Sequence, residues 1–560
     1  MNQNDPILQT VSLVNFPFLT QESLAMLAKE EQLAMGILGL QLCQEYYRSQ
    51  KRDPSRDELH LLDTVVADGY RSADSLLISQ FTTESTTVAE TFADLLGRRS
   101  GAARISDKPL SLAALAQLME NWLADRAKRE RPEADVGIRF SPYRDLLLAA
   151  DGYCRTASSG NREDDISIGS RARSYKGECK LSAGDYIYGV FASESNEAYD
   201  LQTIATYLAT PAVTQNAKVI KIAEARTLLP LLTELSCGLT LNAEKVTEGE
   251  ETLLSALSCP RRGAILVASP ERSADLLLEA QDAELRVLLL GKVTAEETVS
   301  IPKEKGAVRF PLPFLRSLIF ARLYSATVAN PADGNFRMVL SRIGTCTLGG
   351  KRNAVIKVDA DGTSPFREAL MSVVYALSHC VAAGADIRDV KLASYLTLPR
   401  NHVGDALGTV LGLYRAQAEF ELYGGCPVLV MSDKNSTAIS AVTVAPLPDM
   451  TPASTVVRDG SSIYYLEPLY TDDGIPDFAD LKKMYAYISA LIKDGKALSI
   501  RPTGEDLLAD LSDMSGEKTV EYLAGSPLSS HFGGFLVETN DAIQGVLVGK
   551  TEKNEAALDI

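Results

Sequence analysis

The sharpest candidate for chemistry in this 560-residue chain is the loop "MSDKNST", Met431 to Thr437, set between two β-type runs. A lysine flanked by small hydroxyl and amide residues can hold a phosphate through its ammonium and the neighbouring N–H groups, which makes Lys434, Asn435 and Ser436 a candidate phosphate loop. The same composition also makes an ordinary polar turn. Imidazole chemistry has few candidates: only His60, His379, His402 and His531 occur. His60 and His379 fall within helical patterns, where a packed or surface histidine is the usual outcome. The eight cysteines stand singly, with no CxxC pair, so neither a zinc site nor a disulfide framework is implied and no metal ligand set is expected. The polar stretch of residues 154–178 lacks both GxGxxG and GxxxxGK spacing and is a weak phosphate cradle.

The elements that must position these groups fall into distinct patterns. Residues 22–50 carry apolar residues at three- and four-residue spacing, "KRDP" breaks the run, and Ser55 with Glu58 forms a capping box that opens a new helix through Leu59, Leu62 and Val66. A further helix is expected over residues 110–130, so the first 130 residues read as helical. From Asp135 the period changes, and "DVGIRF" and "RDLLLAAD" read as strands.

The chain then repeats itself. "GDYIYGV" at Gly184 is echoed by "GSSIYYL" at Gly460, "GAILVASPE" at Gly263 by "GFLVETND" at Gly534, and "LLGKVTAEETVSI" at Leu289 by "LVGKTEKNEAALDI" at Leu547, all displaced by about 260–275 residues. Three matches in one order describe two copies of one α+β domain. Each copy is expected to start with a strand, continue through a long helix (residues 215–235 and 477–495) and close with strand, helix and strand. Between the copies, strands and helices alternate from "NAVIKVD" to "AISAVTVAP" and form another domain.

Composition bounds the function. The length predicts three or four domains, and 46% hydrophobic residues supply their cores. A net charge of −17 and a pI near 4.9 argue against nucleic acid, which needs a basic face. No run is long and apolar enough to span a membrane and the first residues lack a signal-peptide pattern, so the cytoplasm is the expected location.

The order of helical linker followed by duplicated α+β modules resembles the synthetase part of phosphoribosylformylglycinamidine synthase, in its long single-chain clostridial type. "LQLCQEYYRSQKRDPSRDELHLLDT", Leu40 to Thr64, is similar to the family's linker, and "DKPLSLAALA" to a second linker signature. "CVAAGADIRDVKLASYLTL", "ALGTVLGLYRAQAEF" and "SDKNST" resemble the second module, whose family loop reads Gly-Gly-Lys-Asp-Ser-Met. The resemblance implies an α+β fold: a helical linker domain (1–130), a remnant of the first AIR-synthase N-type domain (131–178), the first C-type domain (179–305), the second N-type domain (306–448) and the second C-type domain (449–560). The first module is abbreviated.

The resemblance also shows what has changed. After the linker's Asp-Thr the family continues Tyr-Trp-Ser-Asp-His-Cys-x-His, with its first histidine catalytic in the amidation. Here Gly69 and Ser72 stand at the two histidine positions, so no catalytic residue is expected there. The family's His-Asn-His-Pro and Gly-Gly-x-Ile-Arg-Asp segment is deleted. The metal-binding Glu of the second module aligns with Tyr375 and the Gln-Glu pair with Tyr395 and Leu396, none of which replaces the hard oxygen ligands of Mg²⁺. The Gly-Gly helix starts become "EARTLL" near Arg226 and "GEDLL" near Glu505. Only Lys434 and Ser436 match the family loop, with Asn435 in place of its Asp and Asp433 in place of a Gly. ADP or ATP at this vestigial site is the one cofactor the resemblance leaves, and the glutaminase domain would have to be another polypeptide.

Two functions follow as expectations. One is a catalytically degenerate relative that binds, scaffolds or regulates in a purine-related setting, with a homodimer or protein partner covering the strands the shortened first module leaves bare. The other is an active ATP-dependent amidoligase using a partner glutaminase or free ammonia, with ligands drawn from Asp164, Asp165, Glu234 and Asp185. Each of these carboxylates also reads as a loop or helix-surface group.

Overall fold

The computed structural model describes residues 12–69, 76–99, 110–116, 118–119, 136–140, 153–157, 166–171, 181–193, 195–208, 210–235, 237–247, 252–303, 306–319, 323–348, 351–399, 402–424, 427–432 and 435–552. The chain divides into two compact units, Met1–Leu77 with Asp135–Tyr324, and Ile78–Ala134 with Ser325–Ile560.

In the first unit the linker forms helices Gln21–Glu30, Ile37–Ser49 and Arg56–Gly69. The capping box is present: the Ser55 N–H donates to Glu58 Oε2 at 3.4 Å and the Glu58 N–H to Ser55 Oγ at 3.1 Å. Glu58 is almost fully buried and is neutralised by Arg52 at 2.6 Å and Lys303 at 3.5 Å. Asp63, one turn further, accepts the N–H groups of Ala34 (2.9 Å) and Met35 (2.7 Å), so the third helix holds the break between the first two.

The linker packs on a seven-stranded sheet with the order Ala307–Pro311, Thr298–Pro302, Gly238–Leu241, Val287–Thr294, Tyr186–Phe191, Arg261–Ala268 and Val219–Arg226. One face joins the linker core through Ile187, Leu290, Ile265 and Val267. On the other face, Tyr188, Val190, Ala264 and Leu266 pack with helices Glu197–Leu208, Pro211–Asn216 and Pro270–Asp282. Residues 215–235 are therefore not one long helix. Val219–Arg226 is a strand because Val219, Ile220 and Ile222 are β-branched and pair with Arg261–Ala268, and the helix of that repeat is Glu197–Leu208. The described part of the shortened first module is a three-stranded antiparallel sheet with Ile166–Arg171 between Val136–Phe140 and Tyr153–Ala157.

In the second unit, Leu77–Thr83, inside the stretch expected to be helical, is a strand that shares a sheet with Leu323–Val328 and Leu110–Ser111. Its β-branched and aromatic residues fit a pleated surface better than a helix. The main sheet runs Phe336–Leu348, Lys351–Gly362, Thr437–Pro446, Lys391–Pro399 and Tyr423–Gly424, with Val428–Ser432 pairing Lys391–Pro399 in parallel. Two long helices, Pro365–Ala382 and Val403–Phe420, pack together beside it. Gly404, Gly408 and Gly412, spaced four apart, let the second helix approach backbone: a Cβ at Gly412 would stand 2.0 Å from the Phe366 carbonyl oxygen.

The last sheet runs Ser499–Pro502, Phe535–Thr539, Ser462–Leu466, Val546–Thr551 and Val520–Tyr522. This is the strand order of the five strands from Val219–Arg226 to Gly238–Leu241 in the first unit. Both copies also share a bulge: pairing skips Leu290 between Leu289 and Gly291, and Val548 between Leu547 and Gly549, against the equivalent strands at Ile187 and Ile463. The second copy closes through a turn at residues 540–545 rather than the expected helix. Among the described residues no helix is long and apolar enough to cross a membrane.

Candidate functional site

The candidate phosphate loop joins strands Val428–Ser432 and Thr437–Pro446, as its flanking β-type runs predict. Asn435 and Ser436 are exposed on it, and Lys434 lies outside the described residues. The buried group beside the loop is acidic. Glu368, on the first turn of helix Pro365–Ala382, has no solvent exposure. It accepts the Ser364 N–H at 3.1 Å and the Thr437 hydroxyl at 2.8 Å. Burial pushes its carboxyl up to about 7 against the pull of these two hydrogen bonds, with Asp361 and Asp405 adding to the rise. An ionised Glu368 would repel a phosphate, so the loop is a poorer anion site than its lysine and hydroxyl residues suggest.

Tyr375, which the resemblance sets against a metal carboxylate, stands edge-on to His379 (ring centroids 4.7 Å) and Phe532 (5.0 Å). Burial, with a further push from Asp510, raises its phenol to about 12. His379 is 8% exposed and its Nε2 has no hydrogen-bond partner; burial and the Arg501 guanidinium hold it down to about 3. The ring is therefore neutral, and the position is an aromatic wall. Leu396 is fully buried in the strand core and Tyr395 pairs with Val428 across the sheet. Among the described residues no group of three or more His, Cys, Asp or Glu could hold a metal ion, and these donors do not fit Mg²⁺.

The helix start near Glu505 is closed from within. Asp506 Oδ1 caps helix Leu507–Ser515 by accepting the N–H groups of Leu508 and Ala509, both at 3.0 Å. Asp510 Oδ2 accepts the Gly504 N–H at 2.7 Å and the Ser530 hydroxyl at 3.2 Å. Burial raises the Asp510 carboxyl, and these hydrogen bonds and Arg501 oppose the rise. Donors of the kind that hold a phosphate at a helix start are thus taken by protein carboxylates. In the first unit the counterpart is Leu228–Thr233, a six-residue helix buried along its whole length in the linker core.

The other sequence candidates are held apart in structural roles. Gly69 ends the linker helix and supplies no reacting atom; Ser72, Asp164 and Asp165 lie outside the described residues. Asp185 is buried and binds Lys218 Nζ and the Ser182 N–H, each at 2.8 Å. Glu234 is the exposed C-cap of helix Leu228–Thr233. His60 meets Glu31 at 3.1 Å, His402 meets Asp405 at 3.7 Å, and His531 meets Glu467 at 3.3 Å. Cys43 and Cys380 are buried and their thiols are pushed up, Cys380 to about 12, which makes them poor nucleophiles. Sequence reasoning missed Glu368 and Asp510; the pattern Ser364-x-x-x-Glu368 at a helix start was the one local signal for the former.

Sheet order, paired long helices and the repeated C-type sheet define an α+β chain built from duplicated AIR-synthase-like modules behind a helical linker. Solved structures it resembles include those of PurL. T. maritima PurL complexed with AMPPCP matches over 90% of this chain and 98% of its own, with TM-score 0.52 and 10% identity. The structure of PurLQS from Thermotoga maritima matches over 91% and 99%, with TM-score 0.51 and 10% identity. T. maritima PurL complexed with FGAR matches over 69% and 75%, with TM-score 0.51 and 10% identity. No protein-family model and no curated protein matches the chain.

Proposed function

We propose that this chain is a phosphoribosylformylglycinamidine synthase-like protein of a purine-related setting that has lost amidation chemistry and acts by binding or regulation. Amidation through an iminophosphate needs Mg·ATP, a phosphate-binding surface and a group that polarises the amide. The observation that carries the reading is the aromatic wall of Tyr375, His379 and Phe532, which sets rings where the resembled family has a metal-binding carboxylate. The internal carboxylates Glu368 and Asp510 support it from two further sides. The surviving ligand site is the Lys434, Asn435 and Ser436 loop, a vestigial place for ADP or ATP.

Isothermal titration with ADP and ATP, with and without Mg²⁺, tests this. Expected are binding that does not require Mg²⁺ and is lost in Lys434→Ala, and no ATP consumption with formylglycinamide ribonucleotide and ammonia. Mg²⁺-dependent ATP turnover would overturn the proposal in favour of an active amidoligase.

The long edge strand Phe336–Leu348 pairs on one side only among the described residues, and exposes Val339 (43%) and Ile343 (62%). An exposed apolar edge of this length is a liability unless covered, which supports a homodimer.

A further inference from the structure

The seven-stranded sheet of the first unit is wider than the helices laid on its outer face. The core under helices Glu197–Leu208, Pro211–Asn216 and Pro270–Asp282 is built from strands Tyr186–Phe191 and Arg261–Ala268. Next to that layer a cleft of about 710 Å³ opens over strands Val287–Thr294 and Gly238–Leu241. Its volume is in the range of small-molecule sites, roughly 300–1,000 Å³.

The lining is mixed in an informative way. Leu289 and Pro302 give apolar walls, with the buried Leu241 and Ala243 at their base. Tyr186 presents a half-buried ring with the Lys292 ammonium 5.7 Å from its centroid. Glu244 and Asn242 add an acceptor and an amide. Asn242 Oδ1 already caps the turn that follows by accepting the Lys245 N–H at 3.3 Å.

The floor is set by the bulge. Gly291 follows the skipped Leu290, and a Cβ there would stand 2.5 Å from the Thr240 carbonyl oxygen, so no side chain can fill the cleft from this position. The second copy keeps the bulge, the glycine and the lysine as Val548, Gly549 and Lys550, but has Ser462 where the first has Tyr186. The aromatic ring is thus particular to the first copy.

We propose that this cleft binds a planar aromatic anion bearing an N–H donor. The Lys292 ammonium, which rests over the Tyr186 ring, turns to pair with the anionic group, the ligand ring packs against Tyr186 and the apolar walls, and the N–H donates to Glu244. A flat ring suits the π face of Tyr186, the exposed Lys292 ammonium suits an anionic group, and the Glu244 carboxylate in the same cleft favours a ligand that also carries a donor. The site shares no residue with the Lys434 loop and stands whether or not that loop binds a nucleotide.

The test titrates the full chain with 6-aminonaphthalene-2-carboxylate, naphthalene-2-carboxylate, adenosine 5′-monophosphate and adenosine, following probe fluorescence or heat. Saturable binding of the aminonaphthoate is expected, weakened about tenfold in both Tyr186→Ala and Lys292→Glu, with unshifted melting of the exposed Lys292→Glu variant showing an intact fold. In Glu244→Gln the advantage of the aminonaphthoate over the naphthoate is expected to shrink. Stronger binding of adenosine monophosphate, lost in the same variants, would identify a nucleotide as the source of the aromatic anion; stronger aminonaphthoate binding would identify an aromatic carboxylate. No saturable binding of either anion, or binding that neither variant alters, overturns the proposal.

Discussion

Glu368 and His379 lie on one helix and bias stability in opposite directions with pH. Glu368 has a folded value of about 7 against an ordinary value of 4.5, so folding binds its proton: the stability it contributes is complete below pH 4.5 and is lost as pH rises through 7. His379 has a folded value of about 3 against 6.5, so its contribution is present above pH 6.5 and is lost as pH falls towards 3. Between pH 8 and pH 5.5 the Glu368 shift gains about 2 kcal/mol on acidification, while His379 loses about 1.4 kcal/mol, leaving the wild-type curve nearly flat in these two groups. Glu368→Gln, which imitates the neutral carboxyl, removes the first effect alone. Its unfolding free energy relative to wild type is expected to fall by about 2 kcal/mol from pH 8 to pH 5.5, a relative melting shift of about 3 °C for a unit of about 290 residues. Urea denaturation of both proteins at pH 8, 7, 6.5 and 5.5 reads the difference. Curves that stay parallel across this range would refute the claim that Glu368 is held near neutrality.

Two further perturbations test the scaffold. Gly412→Ala is expected to destabilise the second unit by more than about 2 kcal/mol, because its Cβ would meet the Phe366 carbonyl oxygen at 2.0 Å, whereas at Gly408 the nearest atom is a Val328 methyl carbon at 3.2 Å and alanine is expected to cost less than about 1 kcal/mol; equal melting shifts would count against the packing account. Light scattering at micromolar concentration is expected to give a dimeric mass that Ile343→Lys reduces to monomer, and a monomeric wild type would remove the case for a second copy at the exposed edge strand.

The parts of this fold legible in the sequence are those fixed by neighbours in the chain. Ser55 and Glu58 are three residues apart, and their reciprocal hydrogen bonds follow from that spacing alone. The duplicated C-type domain was legible because each copy repeats its strands around a bulge followed by Gly-Lys. Residues 215–235 misled because the β-branched strand from Val219 runs directly into the leucines of 228–232, so the apolar pattern fits both periods until the partner strand is known. The site was less legible for the same reason. Glu368 meets Thr437 across 69 residues and Asp510 meets Ser530 across 20, so the carboxylates that fill the anion positions could not be read from loop composition.

The placement of those carboxylates decides which site a nucleotide could still use. An N–H group at a helix start is unsatisfied until an anion, a side chain or water meets it. At residues 504–510 the protein supplies that partner itself, so the turn folds without ligand. A phosphate brought within about 4 Å of an ionised Asp510 would meet a repulsion of about 4 kcal/mol at an effective dielectric near 20, which is about a thousandfold in affinity. The penalty beside Glu368 is conditional, because its carboxyl is about half protonated near pH 7. Nucleotide binding at the Lys434 loop should therefore strengthen on acidification below pH 7, while an ionised Asp510 closes the turn at Gly504 to phosphate.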